Sequence, residues 1–159
     1  MNKLELDNSE FLPAMLEIMN EDDGHFVTII ARGNSMRPFI EDSRDKLVFG
    51  KADAIKVGDV ILAEVTQGHF VCHRIERIDG EQITMRGDGN VFGTESFTVA
   101  EVRAKLIAIK RLGKVYYTDK SKIWKVYSFI WPKLFWCRRV LLALYRLLWL
   151  HQLPARFQR

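Results

Sequence analysis

The sequence predicts a mainly β protein: a coiled, partly barrel-like antiparallel sheet, with a short helix before it and an amphipathic helical tail after it. Three observations support this fold class. Short runs rich in β-branched residues recur between residues 26 and 113, separated by glycine-containing turns. The preceding residues place apolar side chains at helical spacing, and the following residues are dense in Trp, Tyr and Leu. We therefore divide the chain into a helical segment (1–25), a sheet domain (26–113) and a tail (114–159).

Length and composition bound the class of protein. The 159 residues, 48% hydrophobic and 28% charged, have room for one ordinary domain plus an appendage, and wholesale disorder is excluded. Two cysteines, Cys72 and Cys137, are too few for a disulfide framework. The four histidines do not join them in zinc-finger spacing, so we expect neither a metal nor an organic cofactor.

The helical segment predicts a short amphipathic helix that ends near Gly24. This segment is acidic and has no apolar stretch followed by a small-residue cleavage site, so it is unlike a secretory signal. The apolar residues at helical spacing are Phe11, Leu12, Met15, Leu16 and Met19.

The sheet domain contains six predicted strands. Each is a short run rich in Val, Ile, Phe or Thr, and glycine punctuates the connections. The pair Asp79-Gly80 lies between two such runs and predicts a tight hairpin. The predicted strands lie within residues 25–33, 45–51, 59–66, 69–78, 81–87 and 104–112.

The tail differs from the rest of the chain in charge. Residues 1–113 carry 14 Lys and Arg against 19 Asp and Glu, a net charge of −5, whereas residues 114–159 have a net charge of +9. The longest uncharged run of the tail is shorter than the ~20 residues that span a bilayer, and Pro132 divides the tail in two. This composition is typical of interfacial helices that lie on a membrane surface, here through residues 120–150.

Other partners are compatible with a basic amphipathic tail. Such helices also pack on their own domain or dock on a partner protein. Nucleic acid is disfavoured, because the acidic sheet domain would repel phosphate, and we expect no nucleic-acid binding. Four tryptophans between residues 124 and 149, together with nine Lys and Arg from Lys120 onward, favour the membrane surface.

Residues 33–38, with the sequence GNSMRP, form the most informative motif. A serine at a sharp turn after a strand exposes its hydroxyl and has backbone N–H groups aimed nearby, which suits a nucleophile with an oxyanion hole. The same pattern is equally compatible with an ordinary turn. The candidate nucleophile is Ser35, and the candidate oxyanion and positioning residues are Gly33, Asn34 and Met36.

Two further residues could complete a catalytic site with Ser35. His73 lies in a predicted strand, on one face with apolar neighbours, where a histidine is more often structural; histidine is nevertheless a competent base near neutral pH. Asp88 lies in a Gly-Asp-Gly-Asn turn after the next strand, and these residue types are common turn formers. In a triad, Asp88 would orient the imidazole and stabilise its charged form.

The order of these motifs resembles the serine peptidase superfamily that joins type I signal peptidases with self-cleaving SOS-type repressors. Within residues 30–111, GNSMRPFI is similar to the nucleophile box, CHRIERIDGEQITMRGDGN to the base and Gly-Asp boxes, and FTVAEVRAKLIAIKR to the closing strand. The resemblance implies the sheet of that superfamily and Ser35 as nucleophile. His73 replaces the lysine of most bacterial members, which resembles signal peptidases that pair serine with histidine and an aspartate, here Asp88.

The chain departs from the family pattern at four points. Gly33 stands where many signal peptidases have a hydroxyl, so an oxyanion hole would rest on backbone donors such as the Ser35 N–H. Ala104 replaces a glycine of the last box. No second aspartate closely follows Asp88, and the sequence does not decide whether Asp88 or Glu95 supports the base. The N-terminal membrane anchor usual in signal peptidases has no counterpart.

Together these patterns predict a membrane-associated serine endopeptidase that cleaves a signal, leader or precursor peptide through an acyl-enzyme. Without an anchor before the domain, and with cations in the tail, we expect it at the cytoplasmic face of the membrane rather than exported. The alternative is a catalytically inactive module that keeps the fold and binds or regulates a partner. A repressor role is disfavoured, because the ~25 residues before the first strand are too few and too acidic for a DNA-binding domain.

Overall fold

The computed structural model describes residues 8–21, 24–66 and 68–148, and these confirm the mainly β fold. Eight antiparallel strands form one sheet that does not close into a barrel. The strands are β1 (Val27–Ile30), β2 (Asp45–Gly50), β3 (Val60–Thr66), β4 (His69–Asp79), β5 (Gln82–Arg86), β6 (Glu95–Thr98), β7 (Val102–Arg111) and β8 (Lys114–Tyr117). The helices are α1 (Asn8–Glu21), α2 (Lys122–Ile130) and α3 (Arg138–Leu148), with 3-10 helices at Val99–Glu101 and Trp131–Cys137.

Strand order and register bring two of the candidate segments together. Along the sheet the order is β1-β2-β7-β3-β4-β5-β6, and β8 pairs with the end of β7. Strand β4 pairs with β5 in a register that matches Arg74 with Arg86. In an antiparallel pair, the residue before Arg74 and the residue after Arg86 therefore come opposite each other. These residues are His73 and Gly87, so the candidate base faces the start of the Gly-Asp-Gly-Asn turn.

All six predicted strands are present, and the hairpin predicted at Asp79-Gly80 is confirmed. Two strands, β6 and β8, are absent from the prediction. Strand β8 closes a hairpin with β7 through Leu112 and Gly113, whose φ angles of 47° and 79° suit a two-residue turn with both central residues left-handed. Because β8 lies in the predicted tail, the sheet extends past residue 113; the predicted region boundaries themselves stay a prediction.

Two apolar clusters pack on the two faces of the sheet. Alternation along β3 separates them, since Val60 and Leu62 join the first cluster while Ile61 and Ala63 join the second. The first cluster also receives Trp124 from α2, so the tail shares a core with the sheet. The helices after the sheet are therefore packed on the domain and are not a detached appendage.

Helix α1 covers the first cluster with the apolar stripe that the sequence predicts. Leu12, Leu16 and Met19 are buried there, and Met15 is partly buried. The side chain of Phe11, the remaining member of the predicted stripe, lies outside the described residues.

The tail forms helices on either side of Pro132, in agreement with the predicted break. Trp131 and Leu142 are buried against the domain, whereas many other apolar side chains of the tail are exposed, Trp136 to 82%. Within residues 8–21, 24–66 and 68–148, no helix is long and apolar enough to cross a membrane.

Asp45, a fully buried carboxylate at the start of β2, ties the segment after β1 to the sheet. It accepts hydrogen bonds from Arg44 and, at 2.8 and 2.9 Å, from Nε and Nη2 of Arg111. The backbone N–H of Glu41 also donates to it, at 2.9 Å. Burial alone would raise the pKa of Asp45, but these donors offset it and hold the pKa below its ordinary value.

Replacing Asp45 with Asn is expected to lower the free energy of unfolding by about 3 kcal/mol at pH 7, because two guanidinium groups lose a buried carboxylate. The folded-state pKa lies below 3.8, so this stabilisation is fully present above that pH and is lost as the pH falls through the folded pKa. Urea unfolding of Asp45→Asn and wild type at several pH values measures the difference, which should shrink below about pH 4.

The exposed Asp53 provides the matched control, since Asp53→Asn removes a carboxylate of the same size from the surface. An Asp45→Asn variant as stable at pH 7 as Asp53→Asn would contradict the assigned role of the buried carboxylate.

Candidate active site

Ser35 lies in a compact turn that follows β1. The Arg37 N–H donates to the Asn34 carbonyl at 3.2 Å, and the Ile40 N–H donates to the Met36 carbonyl at 3.0 Å. The Met36 side chain is buried in the first apolar cluster, so it fixes the turn to the core. Ser35 itself is partly exposed, as a nucleophile that meets a substrate must be.

The loop 87–90 packs directly against this turn. The Gly89 N–H donates to the Ser35 carbonyl at 2.7 Å. A Cβ at Gly89 would lie 2.6 Å from the Asn34 carbonyl oxygen, and a Cβ at Gly87 would lie even closer to the Ser35 carbonyl oxygen. Only glycine fits at either position, because any side chain would collide with backbone atoms of the turn.

His73 stands on the other side of Gly87. It is buried on β4, and its Nε2 would lie 3.0 Å from a Cβ at Gly87. Since the Ser35 carbonyl oxygen lies within 3.0 Å of the same point, this oxygen and Nε2 are no more than about 6 Å apart. The predicted nucleophile and the predicted base thus flank one glycine.

Glu95 contacts the other nitrogen of the imidazole. Its Oε2 is hydrogen-bonded to His73 Nδ1. A carboxylate oxygen that accepts this hydrogen bond requires the ring proton to be on Nδ1, and Nε2 is then the proton acceptor. Glu95 is the first residue of β6, a strand absent from the prediction, and its side chain is 39% exposed.

Asp88 pairs with Arg74 rather than with His73, which corrects the expected triad. The carboxylate accepts hydrogen bonds from Arg74 Nε at 2.8 Å and Nη2 at 2.7 Å, and both side chains are almost fully buried. The Tyr127 hydroxyl of α2 also donates to it, at 3.1 Å. Successive residues of a strand point to opposite faces. Asp88 therefore lies on the side of β4 that carries Arg74, and not on the side that carries His73.

The charge of Asp88 shifts the pKa values of its two side-chain partners, Arg74 and Tyr127. Burial alone would lower the pKa of Arg74, but the Asp88 carboxylate offsets this and raises it above its ordinary value. Burial first, and then the charge of Asp88, raise the pKa of Tyr127 well above its ordinary value. The phenol therefore stays protonated and acts as a hydrogen-bond donor to the carboxylate.

Ser35 and His73 line a cavity of about 400 Å³ at the edge of the sheet. The edge strand β1 forms part of its wall. A cavity with apolar walls and two convergent polar groups is the usual form of a ligand or substrate site. Its apolar lining includes Leu12, Ile29, Ala31, Met36, Leu62 and Val71.

Cys72 also lines this cavity and is a competing nucleophile on grounds of position alone. Burial, and then the nearby charge of Asp88, raise the pKa of its thiol to about 12. Thiol nucleophiles react as thiolates, so Cys72 is unreactive at neutral pH. The raised pKa therefore disfavours Cys72 as a nucleophile in this cavity.

Gly33 and Ala104, two residues that depart from the family pattern, both make defined contacts. The Gly33 N–H donates to Asp42 Oδ1 at 2.8 Å, so this amide is already used within the turn. Ala104 is fully buried in the first apolar cluster, where its methyl group packs. Among the described residues, no three His, Cys, Asp or Glu side chains are grouped as metal ligands.

Comparison with protein families matches residues 3–114 to the peptidase S24-like family. The chain belongs to this family. The match spans α1 and the sheet through β7, including Ser35, His73 and Glu95, and it ends before the helices of the tail. Membership of the peptidase S24-like family supports serine peptidase activity in general. No curated protein significantly matches the chain.

The contacts between the tail and the loop 87–90 are the part of this S24-like site that sequence reasoning missed. The indole Nε1 of Trp131 donates to the Asp88 carbonyl at 2.9 Å, and Arg138 donates to the Asn90 carbonyl at 3.2 Å. One signal was present in the sequence: Arg74 points to the face opposite His73, and a charge facing a core needs a partner. Asp88, in the turn after β5, is that partner.

Gly87→Ala is expected to reduce acylation of Ser35 by a serine-reactive probe at least ~100-fold, because the added methyl must displace both Ser35 and His73. Gly50→Ala is the matched control, since its Cβ meets only the side chain of Ile107, at 3.3 Å. Probe labelling of the two variants, alongside their thermal unfolding midpoints, separates a local effect from unfolding. If folded Gly87→Ala is labelled at the same rate as Gly50→Ala, the close approach of Gly87 to Ser35 and His73 is refuted.

Proposed function

We propose that this S24-like peptidase is a membrane-associated serine endopeptidase of the Ser-His type, with Ser35 as nucleophile, His73 as general base and Glu95 as the residue that orients the imidazole. The observation that carries the proposal is the position of His73. Its Nδ1 is held by Glu95, and its Nε2 faces the turn of Ser35 across Gly87. The order carboxylate, imidazole, serine segment is the order in which a serine hydrolase uses these groups, and it supports the proposal.

The proposed reaction has two halves. In the first, Ser35 Oγ forms a bond to the scissile carbonyl carbon while His73 Nε2 takes the hydroxyl proton, and the C–N bond then breaks as the imidazolium returns that proton to the leaving amine. In the second, water attacks the acyl ester with His73 as base, and the proton passes back to Ser35 Oγ. Glu95 keeps its hydrogen bond to Nδ1 throughout and stabilises the imidazolium.

The oxyanion donor we propose is the backbone N–H of Ser35. The Gly33 N–H is a poor alternative, because it donates to Asp42. The backbone N–H of the nucleophile lies next to the carbonyl carbon that the hydroxyl attacks. It can therefore donate to the developing oxyanion without reorganisation. Asn34 and Met36 act through the turn, by the hydrogen bonds that their carbonyl groups accept.

The substrate we propose is a signal, leader or precursor peptide in an extended conformation. Strand β1 lies at the edge of the sheet and borders the cavity, so an extended peptide can add to its free side by main-chain hydrogen bonds. The apolar cavity beside Ser35 suits a small apolar side chain near the cleaved bond. His73 in the place of the usual lysine favours the Ser-His signal peptidase branch.

The membrane surface is the partner we propose for the outer face of the tail. This face exposes large apolar side chains, and Asp119 is the only acid in residues 114–159. Cations among apolar groups favour an anionic bilayer surface, as at the cytoplasmic face. The exposed large apolar residues of the tail helices are Ile123, Val126, Phe129, Ile130, Phe135, Trp136, Val140, Leu144, Leu147 and Leu148, and the exposed cations of these helices are Lys122, Lys125, Lys133, Arg139 and Arg146.

A serine-reactive acylating probe tests the proposed site. Wild type is expected to be labelled near pH 8, Ser35→Ala to lose labelling, and His73→Ala to be labelled on the order of 100-fold more slowly. Glu95→Gln should slow labelling at least ~10-fold, because the amide can reverse the ring tautomer. Rates of labelling in detergent, with circular dichroism to verify folding, provide the measurement.

Two controls sharpen this experiment. Cys72→Ser should be labelled like wild type, since the thiol is not the nucleophile. Glu81→Gln removes an exposed carboxylate elsewhere on the sheet and should also have no effect. Labelling that survives in Ser35→Ala, or disappears in Cys72→Ser, would sink the Ser-His mechanism.

Sedimentation with lipid vesicles tests the proposed partner. The chain should bind vesicles with anionic headgroups more tightly than neutral ones, and added salt should weaken this preference. Trp136→Ala should weaken binding at least about tenfold, because burial of a large apolar side chain contributes about 1.5–3 kcal/mol. Ile18→Ala, which removes an exposed apolar side chain from α1, is the control. Equal binding of wild type and Trp136→Ala would argue against this face.

A further inference from the structure

We infer that Tyr127 and Trp131 of the tail are positioning residues of the Ser35–His73 site, so that the helices after the sheet are part of the catalytic apparatus. The inference rests on the proposed function of that site and deepens it. Neither residue lies within the part of the chain matched to the peptidase family. The contacts that support the inference run from the tail to the loop 87–90, and from this loop to the two reacting groups.

The loop 87–90 sets the spacing between nucleophile and base. Gly87 separates the Ser35 carbonyl from His73 Nε2, and Gly89 hydrogen-bonds that carbonyl at 2.7 Å. Both glycines lie so close to the turn of Ser35 that neither admits a side chain. A shift of the loop by a fraction of an ångström therefore moves the Ser35 backbone relative to the imidazole, and proton transfer is sensitive to displacements of this size.

The loop is held from its other side by the tail. Between the two glycines, Asp88 offers its backbone carbonyl to the Trp131 indole at 2.9 Å and its carboxylate to the Tyr127 hydroxyl at 3.1 Å. The two rings stack on each other with centroids 5.4 Å apart. One residue of the loop is thus fixed at its main chain and at its side chain by two adjacent aromatic residues of the tail.

The tail also holds the strand that carries the base. Arg74, the residue after His73, has its guanidinium 5.0 and 5.2 Å from the ring centroids of Trp124 and Tyr127. Its Nη1 donates to Ser128 Oγ of α2 at 2.6 Å. Tyr127 therefore contacts both sides of the Arg74–Asp88 pair, and through them the strand of His73 and the loop that faces it.

A third set of contacts reaches the turn of Ser35. Phe39, within the segment that follows Ser35, stacks on Tyr127 with centroids 4.6 Å apart. Farther along the tail, the Tyr145 hydroxyl contacts the buried carboxylate of Glu41, which in turn accepts a hydrogen bond from Arg37 at 2.8 Å. Tyr127 is thus in contact with the nucleophile segment, the loop and the strand of the base at once.

The test compares matched pairs of variants in acylation by the serine-reactive probe. Tyr127→Phe removes the hydroxyl that donates to Asp88 and keeps the ring, and Tyr117→Phe removes an exposed hydroxyl as its control. Trp131→Phe removes the indole donor and keeps an aromatic ring, and Tyr117→Phe serves as the control for this variant as well. The maximal acylation rate and the half-saturating probe concentration are measured separately, together with the thermal unfolding midpoint.

We expect Tyr127→Phe and Trp131→Phe to acylate roughly three to ten times more slowly at saturating probe, as the loss of one hydrogen bond predicts. The half-saturating concentration should be unchanged, and Tyr117→Phe should match wild type. A merely structural role would lower the unfolding midpoint and leave the acylation rate of the folded fraction as it is. If Trp131→Phe does not fold, Tyr127→Phe and its control decide the matter.

The outcomes separate this inference from the function on which it rests. A labelled wild type with Tyr127→Phe and Trp131→Phe at the same maximal rate overturns the positioning role and leaves the Ser35–His73 site intact. A wild type that is not labelled at all overturns the proposed function, and the positioning role with it. A slower maximal rate in Tyr117→Phe would also overturn the inference, because the effect would then not depend on Asp88.

Discussion

The buried ion pair between Arg74 and Asp88 is the interaction on which the site and the tail both depend. Moving two charges out of water costs several kcal/mol for each ion, and this cost is offset only when every polar atom finds a partner. Here the guanidinium also donates hydrogen bonds to the Gly58 carbonyl and to Ser128, and the carboxylate accepts a hydrogen bond from the Tyr127 hydroxyl. Sheet, loop and tail must all be in place before the pair is satisfied, so the pair binds the three parts together.

This constraint explains how two carboxylates come to have different tasks. Residues 73 and 74 face opposite sides of β4, so one carboxylate can meet the imidazole and another the guanidinium without competing. Asp88 lies on the buried side of β4, where its ion pair with Arg74 holds the loop 87–90 against the strand. Glu95 lies on the more exposed side, and its carboxylate is hydrogen-bonded to His73, for which we propose the role of base. The carboxylate at the proposed base is therefore the one that remains accessible to solvent.

The tail has two faces with different chemistry. Its inner face carries Trp124, Tyr127 and Trp131, which pack on the sheet domain around Asp88. Its outer face is apolar and cationic, and it is the surface for which we propose a bilayer as partner. Both faces belong to the same short helices, so the contacts with the loop 87–90 and the proposed bilayer surface lie on opposite sides of one element.

What the sequence by itself determined was local. The strands, the hairpin at Asp79-Gly80, the stripe of α1 and the break at Pro132 follow from periodicity and turn chemistry, which act between near neighbours. Motifs singled out Ser35 and His73 as candidates; the register of β4 with β5 sets His73 opposite Gly87, and the turn of Ser35 packs against the same glycine.

Only the tertiary structure decided which carboxylate meets the imidazole and where the aromatic residues of the tail go. The choice of Glu95 over Asp88 depends on β6, four residues with a weak strand pattern that pair only because β5 offers an edge. The contacts of Tyr127 and Trp131 with Asp88 join residues about forty positions apart. Such contacts arise from packing and sheet register, and no local pattern of the chain encodes them.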